Sequence, residues 1–332
     1  MRRTRRHVTA AAMLAVVAFI MVGTGSSRAD EGPYPGLPAP EVHPAPVVHR
    51  SWGGAAMGSA AKAETAQQWI RTPLMTSAFD FYSGVVDNPD PSRYIRCTVA
   101  GANVYLVAEA GAPHNYGISR EVTIRTVAFG AIPVEARVRL EQTRDGGLPR
   151  PIEIENLTCT VDGGAEVPDS EVDAELHTQI TSLVVDGVAM RLSGTCRTTV
   201  PGKIQLHGNG YRYGVVDGVI VPQPPQPFWE NGHFNLSVGG ELTGTIDVPP
   251  FDGCVTADGD DLSALLTATV SGSGYAIRTH QGGAFGCTKK NPAGGNLPPG
   301  PGEATVESVP CNPGTAAVPL IPPALEIPEG DR

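Results

Sequence analysis

Three short stretches of this 332-residue chain hold residue types and spacings that could do chemistry. Phe228-Trp-Glu-Asn-Gly-His-Phe234 sets aromatic faces beside a carboxylate, an amide and an imidazole. A sugar site needs that combination, CH–π stacking plus directional hydrogen bonds, so Trp229, Glu230, Asn231 and His233 are candidate binding residues. The plainer reading is that Trp229 and Phe234 pin a long connection to the core by burying a large apolar area. Asp258-Gly-Asp-Asp261, with Asp252 nearby, gathers the oxygen ligands that hard cations prefer. Asp252, Asp258, Asp260 and Asp261 are therefore candidate Ca2+ ligands, and Ca2+ is the one cofactor the sequence admits. An EF-hand is not formed, because Leu262 stands at position 5 and no glycine at position 6. A plain Asp-Gly turn, with Asp260 or Asp261 capping a short helix through Leu262–Leu266, accounts for the same residues. Ser59-Ala-Ala-Lys62 has the spacing at which a lysine activates a serine nucleophile, but no S-D-N or K-T-G triplet accompanies it. Ser59 reads better as a helix cap.

The chain contains no G-x-S-x-G, H-E-x-x-H or P-loop, and no two histidines of the exported part stand four apart. Paired carboxylates need no local motif. A secreted, glycan-directed hydrolase therefore stays open as the alternative to a non-catalytic binding or structural protein.

Composition narrows the rest. Met1–Thr9 is basic, Ala10–Val22 is apolar, and Ser27-Arg-Ala29 places small residues before Asp30, the arrangement of a secretory signal peptide. Thirteen apolar residues are too few for a good membrane helix, so no span is expected once the signal is removed. Thr4-Arg-Arg-His-Val8 also resembles a twin-arginine signal. Five of the 24 basic residues lie in the leader, which leaves 19 against 34 acidic ones. That balance argues against nucleic acid as a partner. The expected location is secreted, released or held non-covalently on the cell surface, with wall polysaccharide or a surface protein as the candidate partner.

Forty glycines and 31 prolines disfavour a helical protein. They suit many short strands joined by turns, and the expected fold is all-β, an antiparallel sandwich, one large or two small. Residues 30–58 form a Pro-rich spacer, and 59–75 hold a short helix over Ser59–Ile70 ended by Pro73. Residues 76–221 and 222–290 make the first and second parts of the sandwich, divided at Pro222–Pro227, and 291–332 is a Pro/Gly-rich tail. Period-2 alternation is clearest at Val134–Glu141. Asp186-Gly187 and Asp217-Gly218 signal type I′ hairpins, and a change of phase near Asn156 suggests a bulge.

Phe251-Asp-Gly-Cys254, Asp260 to Gly274, Gln281-Gly and Cys287 together resemble a short module of uncharacterised secreted β-rich proteins of actinomycetes. The resemblance covers 37 residues and implies no activity. Six cysteines in an exported chain imply three disulfides. Cys254 and Cys287 bracket the module, and Gly272 and Gly274 allow a reversal between them, so Cys254–Cys287 is the expected pair. Cys159–Cys196, across the Asp186-Gly187 hairpin, and Cys97–Cys311, by elimination, complete the set.

Overall fold

The computed structural model describes residues 47–64, 68–108, 116–128, 131–162, 164–217, 219–223, 228–287, 311–312 and 321–326. The expected signal peptide, the spacer as far as residue 46 and most of the tail lie outside them.

The protein is all-β. Two long strands, β1 (Val47–Ala63) and β2 (Gln68–Val86), form a hairpin, followed by β3 (Arg96–Leu106). A second hairpin joins β4 (Val122–Ala128) to β5 (Ile132–Gln142). The two-residue strands β6 (Arg144–Asp145) and β7 (Leu148–Pro149) lead into β8 (Ile152–Val161), β9 (Gly164–Val167), β10 (Ser170–Val185) and β11 (Val188–Met190). Next come β12 (Cys196–Thr198), β13 (Gly202–Gly208), β14 (Tyr211–Val216), β15 (Val219–Gln223), β16 (Phe234–Asn235), β17 (Gly239–Val248) and β18 (Phe251–Asp252). A helix, α1 (Ser263–Val270), precedes β19 (Gly272–Gln281), β20 (Phe285–Cys287) and β21 (Cys311–Asn312).

Alternation makes these strands. In β10, Val172, Ala174 and Leu176 are buried while Glu171, Asp173 and Glu175 are exposed. Such a ribbon has one apolar face, which its neighbours must cover. The antiparallel order β4-β5-β10-β13-β17-β19-β1-β2-β3-β8-β9-β14-β15 does so by curling as a single sheet. Register shifts at Met57/Ser59 in β1, Ile180/Ser182 in β10 and Ile246/Val248 in β17 supply the bend. The curl brings β4 against β2 and β8 against β10. Gln68 Nε2 donates to Val127 O at 3.2 Å across the first of these seams.

The expected two-part sandwich is therefore one sheet. The strands on either side of Pro222–Pro227 share that sheet, since β13 pairs with β17, Ile204 opposite Ile246. The helix expected over Ser59–Ile70 is replaced by the adjoining halves of β1 and β2. Ala60 has Arg71 on one side and Arg278 on the other, so two-sided pairing overrides the helical preference of an alanine-rich run. Ser59 and Lys62 consequently face opposite ways, which rules out the nucleophile spacing. β8 has no bulge, since its register with β3 is continuous from Arg96↔Thr160 to Val104↔Ile152. Asn156 simply points inward, where its side chain is buried and accepts the Leu236 N–H at 2.8 Å.

Two local expectations hold. Asp186 and Gly187 have φ of 49° and 77° between the paired Val185 and Val188, the geometry of a type I′ turn. The helix near Leu262–Leu266 is α1, and Asp261 Oδ1 accepts the Ser263 N–H at 2.9 Å at its start.

All three expected disulfides are corrected. Cys97 bonds to Cys159, its direct cross-strand partner between β3 and β8, with Cα atoms 4.1 Å apart. Cys196 bonds to Cys254. The latter pairing follows from β12 running antiparallel to β18, Arg197 opposite Asp252, an association between segments far apart in sequence that no local loop predicts. Backbone pairing of β20 with β21 sets Cys287 opposite Cys311. Non-reducing peptide mapping is expected to find Cys287 linked to Cys311; a Cys287 peptide joined to any other cysteine overturns that assignment.

Candidate functional site

The inward residues of the curled sheet enclose a cavity of about 340 Å3. Its wall takes alternate residues from each long strand: Met57 and Ala61 from β1, Val104 from β3, Val138 from β5, Leu176 from β10, Leu206 from β13, Ile277 from β19. No charged residue lines it among those described. The hydroxyls that reach it are mostly spoken for. Ser59 Oγ and Thr279 Oγ1 lie 2.9 Å apart, Thr72 Oγ1 donates to Ser59 O at 3.0 Å, and Thr269 Oγ1 donates to Leu265 O at 2.7 Å. Gln68 Nε2 donates to Thr126 Oγ1, and the Tyr275 hydroxyl donates to Ser271 O at 2.9 Å. A polar group brought inside would lose its water for little return, at a cost of roughly 1–3 kcal/mol.

Two clusters stack along this interior. One, around Phe79, Ile154, Leu206 and Leu242, is closed by the segment carrying Phe234 and Leu236. Both amide groups that hold Leu236 are buried: Asn156 accepts its N–H, and Gln281 Nε2 donates to its carbonyl at 2.8 Å. Gly208 is required there, since a Cβ at that position would lie 2.5 Å from the Phe234 Cβ. The other cluster, around Ala136, Ile180, Leu183 and Phe251, is covered by Leu266 of α1. The Cys196–Cys254 disulfide belongs to the same cluster and anchors the chain just ahead of the helix.

Outside, a polar cleft of about 800 Å3 runs over the seam between β8 and β10. Glu153 and Glu155 face Asp169, Glu171, Asp173 and Glu175 across it, with Lys203 and Arg150 at its sides. Several of these carboxylates are engaged: Tyr82 donates its hydroxyl to Glu155 at 2.5 Å, and Gln205 Nε2 donates to Asp173 at 3.1 Å. Burial first, then the Glu155 hydrogen bond, pushes the Tyr82 phenol above the usual tyrosine range. His207 Nδ1 lies 2.7 Å from Glu171 Oε1, and this hydrogen bond is the main reason its pKa is raised above 6.5.

A folded-state value above the unfolded one means that His207 stabilises the fold below about pH 6.5 and that this contribution is lost as pH rises through the raised value. His207→Asn is accordingly expected to lower the melting temperature at pH 5.5 and to leave it nearly unchanged at pH 8.5. The effect is small because the His207 side chain is 39% exposed. Equal losses at both pH values would contradict this reading.

The sequence-derived site residues are distributed differently. Trp229, Glu230, Asn231 and His233 share one tight turn, with Phe228 O accepting both the Asn231 and the His233 N–H. Trp229 is half-buried, and Glu230 and Asn231 are exposed. The buried anchors are Phe228 and Phe234, so the pinning role expected of Trp229 belongs to Phe228. Neither the cleft nor the cavity is lined by any of the four. Asp252, Asp258, Asp260 and Asp261 are all exposed. Asp252 Oδ1 accepts the Gly253 N–H, and hydrogen bonds from Ser263 hold Asp261 below the usual carboxylate range. Gly259, with φ of 96°, makes Asp258-Gly259 a tight turn. Among the described residues no group of three or more His, Cys, Asp or Glu is placed to hold a metal ion.

The sequence reading missed the cavity, because a strand that faces a cavity alternates as one facing a filled core does. Comparison with known protein families, with characterised proteins and with solved structures returns no match to this chain. Among the described residues two disulfides are present, and no helix is long and apolar enough to cross a membrane.

Proposed function

We propose that this is an exported, non-catalytic protein that binds a small apolar ligand inside its curled sheet. The observation that carries this reading is the uncharged 340 Å3 interior. Protein interiors pack with few voids larger than a water molecule. A cavity of this volume that holds nothing leaves the apolar side chains around it without packing partners on that side. An apolar molecule that fills it restores the missing contacts. The volume falls at the lower end of the ~300–1,000 Å3 found for small-molecule sites. Disulfides and the basic-then-apolar leader support the extracellular address.

The test uses N-phenyl-1-naphthylamine, a neutral fluorophore that brightens in apolar surroundings. The disulfide-intact chain is expected to bind it saturably, one per chain, with dodecan-1-ol competing. Ala136→Phe, which fills the wall beside β10, is expected to abolish binding without lowering the melting temperature. Fluorescence that rises linearly without saturation sinks the proposal.

The hydrolase alternative has the acidic cleft in its favour. It requires cleavage of a polysaccharide that Glu155→Gln abolishes in a fully folded protein. A wall-polysaccharide partner, in turn, requires that Trp229→Ala lose retention on insoluble polysaccharide while the fold is kept.

A further inference from the structure

We infer that the interior takes a single-chain amphiphile, tail first, through a mouth between α1 and the β4–β5 hairpin, leaving its polar head at Leu265 and Ile132. This rests on the apolar-ligand reading above and gives that site its ligand class and its direction of entry.

Exposure locates the mouth. Of the described residues that line the cavity, Leu265 and Ile132 are the exposed ones, at 45% and 39%. Every other lining residue is buried or half-buried. Leu265 stands on α1 and Ile132 opens β5, and the neighbours of each, Leu266 and Val134, meet in one cluster. The cavity therefore reaches solvent at this end. Its other end is shut by Phe234 and Leu236, which are 0% and 2% exposed. The seam between β8 and β10 is bolted by Asn156, whose side-chain amide donates to Ser170 Oγ. An apolar molecule crossing that seam would also have to pass the carboxylates of the outer cleft.

The lining sets the ligand's polarity. Ser59, Thr72, Thr126, Thr269, Thr279 and Tyr275 already hold their hydroxyls in hydrogen bonds within the protein. A head group carried inside would leave water and find few partners, so it stays at the mouth. Volume sets the length. A ~150 Å3 cavity accepts the six carbons of benzene, so 340 Å3 suits a tail of about a dozen non-hydrogen atoms. Dodecanoate and dodecan-1-ol share this chemistry and differ only in the head, which the solvent-facing site leaves in water.

α1 is held at both ends and spans the opening between them. Ser263 Oγ at its start accepts the N–H of disulfide-bonded Cys254 at 3.1 Å, and Ser271 Oγ just beyond its end donates to Pro249 O at 2.9 Å. The size of the Leu265 side chain therefore governs how freely a ligand passes.

Stopped-flow exchange of bound N-phenyl-1-naphthylamine, chased with dodecan-1-ol, tests the mouth. Leu265→Trp is expected to slow both association and dissociation by about tenfold. Leu265→Ala is expected to speed both. Equilibrium competition tests the orientation: dodecan-1-ol and dodecanoate displace the probe, and dodecane-1,12-diol, whose second head would have to be buried, is at least about tenfold weaker. A wild-type protein that binds the probe but shows unchanged rates in both Leu265 variants overturns the mouth and leaves the binding reading standing. A diol as potent as the alcohol overturns tail-first burial. Failure of the wild-type chain to bind the probe at all overturns the binding reading, and this inference with it.

Discussion

Replacing Cys196 and Cys254 together by alanine is expected to lower the free energy of unfolding by about 4 kcal/mol. The bond closes a stretch of 58 residues, and the chain-entropy estimate for that length gives this figure. The native contacts point the same way. Both sulfurs are fully buried in the cluster that includes Ala136, Leu183, Phe251 and Leu266, so truncation also removes apolar contacts at the α1 end of the interior. The disulfide between Cys97 and Cys159 spans a similar 62 residues but lies inside a continuous β3–β8 ladder that persists without it. Denaturant titration of the two double variants is the measurement. Both midpoints fall, and the Cys196/Cys254 variant alone also exchanges N-phenyl-1-naphthylamine faster, because the approach to α1 has lost its tether. A loss under about 1 kcal/mol for the Cys196/Cys254 pair would show that β12–β18 pairing carries the constraint by itself.

Much of the architecture was legible because period-2 patterning is a direct print of a half-buried strand. Val134 to Leu140 and the Asp186-Gly187 turn were readable for that reason, and α1 was readable from the acidic turn ahead of it. What escaped the sequence depended on contacts between distant segments. The run Ser59–Ala63 is helical by propensity and becomes a strand because β2 and β19 flank it on both sides. Cys254 finds Cys196 through the β12–β18 pairing rather than through its own loop. The same limit applies to the site. Trp229 stands beside a carboxylate and an amide as a sugar site requires, yet Phe228 and Phe234 are the buried aromatics, and sequence alone does not say which way a tight turn aims its rings. The apolar cavity has no motif. It exists because one sheet, bent at register shifts in β1, β10 and β17, curls too widely for its own side chains to fill, and curvature of that kind is a property of the whole pairing order.

Gln142→Ala is expected to cost roughly 2–4 kcal/mol, a large loss for a single polar side chain. Gln142 ends β5 and is 3% exposed. Beyond Ile152, the start of β8, the β3 edge meets Tyr116 and Gly117, Val107 bridging Tyr116 and Leu106 O accepting the Gly117 N–H at 2.8 Å, and the Gln142 amide fills the space between β8 and that segment. Its Oε1 accepts the Leu106 N–H at 2.8 Å, and its Nε2 donates to Val104 O at 3.1 Å and to Arg150 O at 2.7 Å. Truncation takes a partner from the buried Leu106 N–H and from the buried Val104 carbonyl, each worth about 1 kcal/mol or more, while the carbonyl of exposed Arg150 can turn to water. Gln142→Glu is expected to be at least as damaging, because a carboxylate would face the same two carbonyls without a proton to give. The joint also bears on the interior: Val104 and Leu106 line the cavity, so a loosened β3 edge widens the wall there. Amide hydrogen exchange locates the effect. The Leu106 N–H should lose protection in Gln142→Ala ahead of the β1–β2 and β17–β19 ladders, and probe affinity should fall with it. A Leu106 amide as slow as in the parent chain would mean that another group closes the β3 edge.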